Sequence, residues 1–502
     1  MAALKLSLLV LLLLSVVVLS SSVVWGKQDP ELKQCQHQCR QQRGFDEEQK
    51  SQCERRCEDY IREKKERERR ERESERGGGG GGGEEESYYG TKEREEGERV
   101  TERGPYVFEE EHFETRVRTE EGRVHILRKF TEKSKLLKGI ENFRVGFLEA
   151  NPNAFVAPVH FDADTVFFVA SGKPTVTLHR EDKKDTFNLE YGDILNIPAG
   201  TPVYMVNRDE REKLFIIKLI NPVFLPGHFE PFYGPGGENP ETFYKAFSWE
   251  VLSAAFKRDR DEIERLFRQQ KRGSIVKASR QQVQEVSRHA EGGRGGGGTI
   301  WPFGGDTGGP FNLFRNRRPT HSNRFGSLFE ADASEYKQLE DLNLMISFAN
   351  ITKGAMTAPI YNSRATKISI VVDGEGFFEM ACPHVSSEQG GGGRSSRHSF
   401  QRVTGRLRRG VVFVVPAGHP LTAIASGNTN LQILCFEVNA KGNVKYPLAG
   451  RKNIVNDMEN VAKELSFSVP AREVDRIFRS QNEEFFFPGP TQQEQGGHRA
   501  YI

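Results

Sequence analysis

The chain has 502 residues, enough for about three domains at roughly 150 residues each. Its 72 lysines and arginines nearly balance its 70 aspartates and glutamates, which leaves a formal net charge of +2. A balance this close gives the molecule no general electrostatic attraction to nucleic acid or to an anionic membrane surface, and neither is expected as a partner.

An apolar run opens the chain at residues 6–19. Small residues follow it, with Val24 and Gly26 in positions suited to signal-peptide cleavage. This pattern predicts a secretory signal peptide over residues 1–26, and hence a compartment that permits disulfides and glycans and a mature chain without a membrane anchor. The alternative is an uncleaved transmembrane helix, because the apolar run extends nearly to Trp25, although no basic stop-transfer cluster follows at once.

Four of the six cysteines form two CxxxC pairs within residues 27–60. A spacing of four residues places both thiols of a pair on one face of a helix. Two antiparallel helices would face each other at two levels, which predicts a hairpin stapled by the disulfides Cys35–Cys57 and Cys39–Cys53. A zinc site is the alternative, but an oxidising compartment favours disulfides.

Residues 61–103 form a charged linker in which mixed charges precede seven consecutive glycines. Mixed charge without apolar periodicity is typical of a solvated helix or of disorder. Similar glycine-rich inserts occur at 291–298, overlapping a linker at 292–310, and at 389–394, and the chain ends in a tail at 489–502. We expect proteases to cut the inserts readily.

Two strand-rich blocks, at residues 137–220 and 342–438, repeat one another. The matching positions are Ala157-Pro158 with Ala358-Pro359, Gly172 with Gly374, and Pro198-Ala199-Gly200 with Pro416-Ala417-Gly418. A repeat of this length implies two copies of one domain, which we place at residues 104–291 and 311–488.

Each block is built from short β-branched and aromatic runs such as residues 166–169 and 411–415, bounded by Gly, Pro and Asp. Several such runs at short spacing predict a mainly β fold with an antiparallel barrel or sandwich in each copy. The glycines of the Pro-Ala-Gly turns, together with Gly172 and Gly374, are expected at positive φ.

Helical extensions follow the strands. Residues 248–270 begin with a candidate N-cap at Ser248 and carry apolar residues largely on one side. Ser279 and Gln282 form a capping-box pattern that predicts a second helix. Residues 471–480 have an apolar face similar to that of residues 248–270. An apolar helix face appended to a closed barrel requires a partner, either its own barrel or another subunit.

Three residues form a candidate metal site. Cys382 and His384 lie two residues apart at the end of a predicted strand and so point to the same side, and His419 follows the second Pro-Ala-Gly turn. Thiolate and imidazole together suit copper or zinc. The alternative is a free thiol beside ordinary histidines. Cys435 is interpreted as a buried apolar residue.

These repeats resemble the two barrels of the bicupins, and the layout over roughly residues 104–488 resembles the vicilins, the 7S seed storage globulins. The metal-binding pattern of cupins requires two His and a Glu in one motif and a third His in the next. In the first barrel His160 remains, but Asp162 and Val203 stand at the other His positions, and no acidic residue stands at the Glu position. In the second barrel Tyr361 and Ser363 replace the His pair, and Lys367 or Ile368 replaces the Glu. Leu421 replaces the last His.

The resemblance implies two tandem cupin domains with helical arms, preceded by a hairpin like the α-hairpinin segments of vicilins. It implies a homotrimer that serves as a non-catalytic nutrient reservoir in the seed storage vacuole. It also implies copper as the metal at Cys382, His384 and His419, with Tyr106 as the fourth ligand. The alternatives are a copper-dependent cupin enzyme, oxidase or superoxide dismutase-like, and a carrier of a small ligand in the barrels.

Asn350 begins an Asn-Ile-Thr sequon. In a secreted chain this predicts N-glycosylation at Asn350, provided that its side chain is accessible.

Overall fold

The structure, a computed structural model, describes residues 104–180, 183–288, 290, 308–383 and 400–490, together with single residues between 32 and 62. The chain divides into a unit at Met1–Glu96 and a unit at Gly97–Ile502. The predicted signal peptide, most of the charged linker and the glycine-rich inserts lie outside the described residues.

The second unit is built mainly from antiparallel strands. Its first half contains β1 Val107–Phe108, β2 Phe113–Thr119, β3 Gly122–Leu127, β4 Arg144–Ala150, β5 Ala154–Phe161, β6 Ala163–Ser171, β7 Pro174–Arg180, β8 Lys183–Asn188, β9 Asp193–Ile197, β10 Val203–Asn207, β11 Leu214–Pro222, β12 Pro231–Phe232 and β13 Ile275–Lys277. Its second half contains β14 Phe311–Asn312, β15 His321–Asn323, β16 Gly326–Ala331, β17 Leu344–Ile351, β18 Ala355–Thr357, β19 Ile360–Asn362, β20 Thr366–Asp373, β21 Glu375–Cys382, β22 Gln401–Arg408, β23 Val412–Val415, β24 Leu421–Ala425, β25 Leu431–Val438, β26 Lys445–Pro447 and β27 Phe486–Pro488.

The short helices are α1 Phe130–Lys133, α2 Trp249–Phe256, α3 Arg260–Phe267, α4 Arg280–Ser287, α5 Asn460–Phe467 and α6 Ala471–Phe478. Single 3₁₀ segments lie at Glu110–His112, Lys135–Ile140, Phe243–Ala246 and Lys337–Leu339.

Each half consists of two sheets packed over a common core. The first half has the order β14-β9-β6-β11-β4-β3-β2 in one sheet and β12-β5-β10-β7-β8 with β13 in the other; the second half has β1-β23-β20-β25-β17-β16-β15 and β22-β21-β24-β18-β27 with β19 and β26. This repeated arrangement confirms the predicted mainly β fold.

A short strand from each half is paired with the other half. β1 precedes the first barrel in sequence, but Val107 pairs with Phe413 of β23. β14 opens the second half, but Phe311 pairs with Ile194 of β9. The two halves are therefore joined by backbone hydrogen bonds as well as by side-chain packing.

Strand β6 is apolar on both faces because both are buried. Val166 and Phe168 belong to a core shared with the second half, where the Phe168 ring stacks on Phe348 at 6.0 Å. Phe167 and Val169 point the other way, into the core of the first barrel. Alternate side chains of a strand face opposite sides, so a continuous apolar run is expected when both sides are covered.

The repeated glycines have the predicted backbone conformation. Gly172 and Gly374 have φ of +81° and +84°, and the two Pro-Ala-Gly turns place Gly200 and Gly418 at +75° and +77°. A Cβ on Gly374 would lie 1.8 Å from the carbonyl oxygen of Asn430, so neither conformation nor space permits another residue there.

The helical extension at residues 248–270 differs from its predicted form. Ser248 does cap a helix, because its Oγ accepts from the N–H of Val251 at 3.3 Å. The helix then ends at Lys257, which is left-handed with φ of 53°, and a second helix begins at Arg260. The charged sequence between the two apolar clusters permits this break, so the arm is two short helices. The predicted capping box of Ser279 and Gln282 is present in α4.

Candidate functional site

The cupin metal-ligand positions of the first barrel hold side chains that are engaged in packing and turn contacts. His160 on β5 stacks on the ring of Phe232, with ring centres 5.0 Å apart and planes 7° from parallel. Asp162 accepts a hydrogen bond from the N–H of Glu230 at 2.7 Å. Burial lowers the pKa of His160, and the weaker attraction of Asp162 does not reverse the shift. Val203 is buried and offers no ligand atom.

The corresponding positions of the second barrel are also engaged. Tyr361 stacks on Tyr446 with ring centres 5.1 Å apart. The Oγ of Ser363 accepts from the N–H of Val444 at 2.8 Å. Leu421 pairs with Ile360 between β24 and β19. The turns that frame a cupin site are kept while the ligands are replaced by groups with structural partners.

A buried ion network occupies the interior of the second barrel. The carboxylate of Glu437 is fully buried and lies 3.4 Å from the ammonium of Lys367 and 3.0 Å from that of Lys445. It accepts hydrogen bonds from Ser347 at 2.7 Å and Asn362 at 3.2 Å. Lys445 also pairs with Glu330, so that two positive and two negative charges are brought together.

The network holds Glu437 ionised. Burial alone would raise its pKa, but Lys367 and Lys445 outweigh this effect and lower the pKa of Glu437 to about 2. The neighbouring carboxylates raise the pKa of Lys445 against the opposing effect of its own burial. Sequence reasoning identified Lys367 only as a replacement for the cupin Glu. Glu437, a charged residue in the otherwise apolar sequence of β25, is the signal that sequence reasoning missed.

The first barrel has a different interior. It contains a cavity of 220 Å³ with mainly apolar walls, and Lys218 of β11 lines it. The Lys218 side chain is buried, with its Nζ 4.9 Å from the ring centre of Phe167. Sequence reasoning did not identify this lysine, although a charge in the strand sequence LFIIKLINP was visible.

Three of the four predicted metal ligands lie together. Tyr106 and Cys382 are fully buried, and their Oη and Sγ atoms are 3.3 Å apart. His419 is 5% exposed, and its ring centre lies 6.3 Å from that of Tyr106. Strand β1 brings Tyr106 to the second barrel, and β21 and the Pro-Ala-Gly turn supply the other two residues.

Hydrogen bonding controls the protonation of His419. Burial lowers its pKa, but hydrogen bonds to the Cys382 side chain and to the backbone of Ala417 and Pro416 outweigh burial, and the net pKa is raised. The Nδ1 atom lies 3.1 Å from the carbonyl oxygen of Ala417. His384 lies outside the described residues. Within the described residues no group of three or more His, Cys, Asp and Glu side chains is placed to hold a metal ion.

Other predicted sites are placed in part. Cys53 and Cys57 are buried and disulfide-bonded, whereas Cys35 and Cys39 lie outside the described residues. Asn350 is half-buried in β17, between Ser327 of β16 and Gln432 of β25. Cys435 is buried and makes a hydrogen bond to Ser369 at 3.3 Å. Within the described residues, none of the helices is both long and apolar enough to cross a membrane.

Comparison with known proteins assigns the family. The cupin family model matches residues 311–473. The chain is 57% identical to vicilin Jug r 6.0101 of Juglans regia, over 99% of each chain, and 57% identical to vicilin Cor a 11.0101 of Corylus avellana, over 94% of this chain and 98% of that one. The crystal structure of vicilin from Corylus avellana is 61% identical, with a TM-score of 0.72, covering 77% of this chain and all of that one. The chain therefore belongs to the vicilins, the 7S storage globulins of seeds.

Proposed function

We propose that the mature chain is a nutrient reservoir without catalytic activity, delivered through the secretory pathway to the storage vacuole of seeds. The observation that carries this proposal is the occupation of the cupin ligand positions. His160 and Tyr361 pack against aromatic rings, and Lys367 is paired with Glu437, so these residues serve the fold. Glycines and prolines of the turns remain because the barrel needs them with or without a metal.

The test follows the protein through the life of the seed. Immunogold labelling should place it in storage vacuoles, its amount should rise during maturation, and it should disappear after germination. A constant low level through germination, or labelling confined to another compartment, would contradict the reservoir role. Oxidase and superoxide dismutase assays on the purified protein address the enzyme alternative.

We propose that the protomers assemble as a homotrimer through their helical arms. Among the exposed apolar side chains, Leu266 of α3 is 64% exposed, and Leu465 of α5 and Ile477 of α6 are 79% and 64% exposed. Other residues of the first arm, such as Leu252 and Ile263, cover one another in a small cluster. Apolar faces this exposed on short helices are stabilised by burial against a neighbour.

We propose copper as a cargo or structural metal at Cys382, His419 and His384, with Tyr106 as fourth ligand or close neighbour. The fit is supported by the 3.3 Å distance between Tyr106 and Cys382 and by the hydrogen bond between Cys382 and His419. A thiolate with imidazoles is a donor set that selects copper over most divalent metals.

Metal content tests the copper proposal. Protein purified from seed, or refolded with copper, should contain about one copper per protomer by elemental mass spectrometry, and Cys382→Ser should lose it. Cys435→Ser is the matched control, because Cys435 is a second buried cysteine of the second barrel that forms no disulfide. Equal copper content in both variants would rule the site out.

We propose that the N-terminal hairpin carries the disulfides Cys35–Cys57 and Cys39–Cys53 and is a stapled part of the reserve protein. Peptide mapping without reduction identifies the pairs. We also propose a glycan on Asn350, which lies on β17 between the neighbouring strands β16 and β25. Mass spectrometry of the native Asn350 peptide decides this: a wholly unmodified asparagine contradicts it.

A further inference from the structure

The cavity of the first barrel is large enough for a small organic molecule. Its volume is 220 Å³, and its apolar walls come from both sheets. The wall residues include Val156, Val159, Phe161, Phe167, Val203 and Met205. An apolar cavity of about 150 Å³ is sufficient to bind benzene. A ligand with a short aliphatic or aromatic body would therefore fit.

One cationic side chain is buried in these walls. Lys218 is 7% exposed, and its Nζ lies 4.9 Å and 5.9 Å from the ring centres of Phe167 and Phe161. It forms neither a hydrogen bond nor an ion pair with any described residue. The other charged residues lining the cavity are Arg116 and Glu230, both of which are exposed. The buried amine thus faces the cavity without a counter-charge.

The surroundings destabilise the ammonium form of Lys218 relative to that of an exposed lysine. Burial lowers the pKa of Lys218 to about 8. The aromatic faces favour the ammonium form, but loss of hydration is the larger effect. Relative to an ordinary lysine, the neutral fraction at neutral pH rises by more than about 100-fold. A desolvated lysine in an apolar pocket is an activated nucleophile.

The described part of the second barrel has no equivalent of Lys218. Lys218 pairs with Phe167 across β11 and β6, and Cys435 pairs with Ser369 across the equivalent strands β25 and β20. Cys435 therefore stands where the first barrel has its lysine. The lysines of the second barrel interior, Lys367 and Lys445, are neutralised by Glu437. Within the described residues of the two barrel interiors, the buried amine without a counter-charge is that of the first barrel.

We propose that Lys218 condenses with a small apolar aldehyde bound in the first barrel. The amine nitrogen attacks the carbonyl carbon and forms a C–N bond. The resulting carbinolamine loses its oxygen as water, which leaves an imine, so that amine and aldehyde give imine and one water. The step requires no oxidant or reductant. A route from solvent is supported by a surface cleft of 720 Å³ that shares the wall residues Arg116, Pro231 and Tyr233 with the cavity.

Reductive trapping on the full chain tests this proposal. The protein is incubated with one equivalent of hexanal at pH 7.5, reduced with cyanoborohydride and mapped by peptide mass spectrometry. Lys218 should carry a hexyl group at an occupancy at least about tenfold above that of the exposed Lys135 and Lys138. Lys367 and Lys445, which are paired with a buried carboxylate, should remain unmodified.

Two variants and one analogue separate the outcomes. Lys218→Arg keeps the charge but cannot form the imine, and the other lysines of this variant should react as before. If circular dichroism shows that the arginine variant is misfolded, Lys218→Met replaces it. Hexanol has the chain of hexanal without the carbonyl, and an excess should slow modification of Lys218 alone. Modification of Lys218 at or below the level of Lys135 would overturn the proposal. So would binding of hexanal without any adduct, since the cavity would then hold its ligand non-covalently.

Discussion

Glu437 carries its charge inside the second barrel because two ammonium groups surround it. A buried ion pair adds little net stability over an apolar core, but removal of one partner leaves the other buried and uncompensated. The network around Glu437 is therefore more sensitive to substitution than its net contribution suggests.

Glu437→Gln should destabilise the folded chain by about 3–5 kcal/mol. The amide retains an acceptor for Ser347 but removes the carboxylate that pairs with Lys367, and it leaves Lys445 paired with Glu330. Urea denaturation followed by circular dichroism measures the change. Glu375→Gln, an exposed substitution on β21, is the control and should fall within about 0.5 kcal/mol of the parent. Equal effects of the two substitutions would show that the network is dispensable.

Glu437 also predicts a pH dependence in acid. Its pKa falls from 4.5 to about 2 on folding, so its ionised form stabilises the fold fully above pH 4.5. This contribution should be lost as pH falls from 4.5 towards 2. The difference in free energy of unfolding between the parent and Glu437→Gln should shrink over that window. A difference that stays constant down to pH 2 would contradict the assigned shift.

Lys218 has the opposite effect on stability. Its pKa falls from 10.5 to about 8 on folding, so below pH 8 the fold must bury a charged amine. Lys218→Met should therefore raise the free energy of unfolding at pH 7 by about 1–3 kcal/mol. The gain should fade as pH rises from 8 to 10.5, where the amine is neutral in both states. Exposed Lys213→Met is the control; a loss of stability at Lys218 would show that the ammonium is stabilised in place.

At the scale of elements, the short strand β1 contacts both halves of the second unit. It delivers Tyr106 to the cluster with Cys382, and it pairs with β23 of the second half. Its Phe108 ring packs edge-on against Phe130 of α1, with ring centres 5.3 Å apart. One short strand thus contacts both halves.

Phe108→Ala should cost about 3–5 kcal/mol, the range for removal of a buried aromatic side chain. Because β1 bonds to the second half while Phe108 packs against α1, calorimetry should show one unfolding transition at lower temperature. Phe400→Ala, at a residue 68% exposed, should leave the transition in place. Two separate transitions already in the parent protein would show that β1 does not couple the halves.

At the scale of the whole molecule, the exposed faces of α3, α5 and α6 are the surfaces that the proposed trimer must cover. Leu465→Asp places a charge on the most exposed of the large apolar side chains. Light scattering of this variant at micromolar concentration should give the protomer mass, where the parent gives three times that mass. Val444→Asp, an exposed apolar site outside these helices, should leave the mass unchanged. A trimeric Leu465 variant would place the interface elsewhere.

Local patterns predicted the turns and the caps correctly. Gly200 and Gly418 require positive φ whatever lies around them, and Ser248 and Ser279 cap helices because a hydroxyl satisfies a nearby N–H. The break at Lys257 was missed because the apolar residues on the two sides of the charged stretch keep the same helical period. The predicted placement of Tyr106 beside Cys382 and His419 came from the resemblance to vicilins, since nothing in the sequence spacing brings residue 106 to residue 382.

The sequence by itself determined the repeat, the strand-rich character of each copy, the loss of the cupin ligands and, through resemblance, the family. These properties depend on residue types and on periods of a few residues. Only the tertiary structure decided that β1 pairs with the second half and β14 with the first. It also decided the pairing of Glu437 with Lys367 and Lys445, and the burial of Lys218 without a counter-charge. Burial and long-range pairing set the charge state of a lysine or a glutamate, and they exist only when strands distant in sequence close around the same interior.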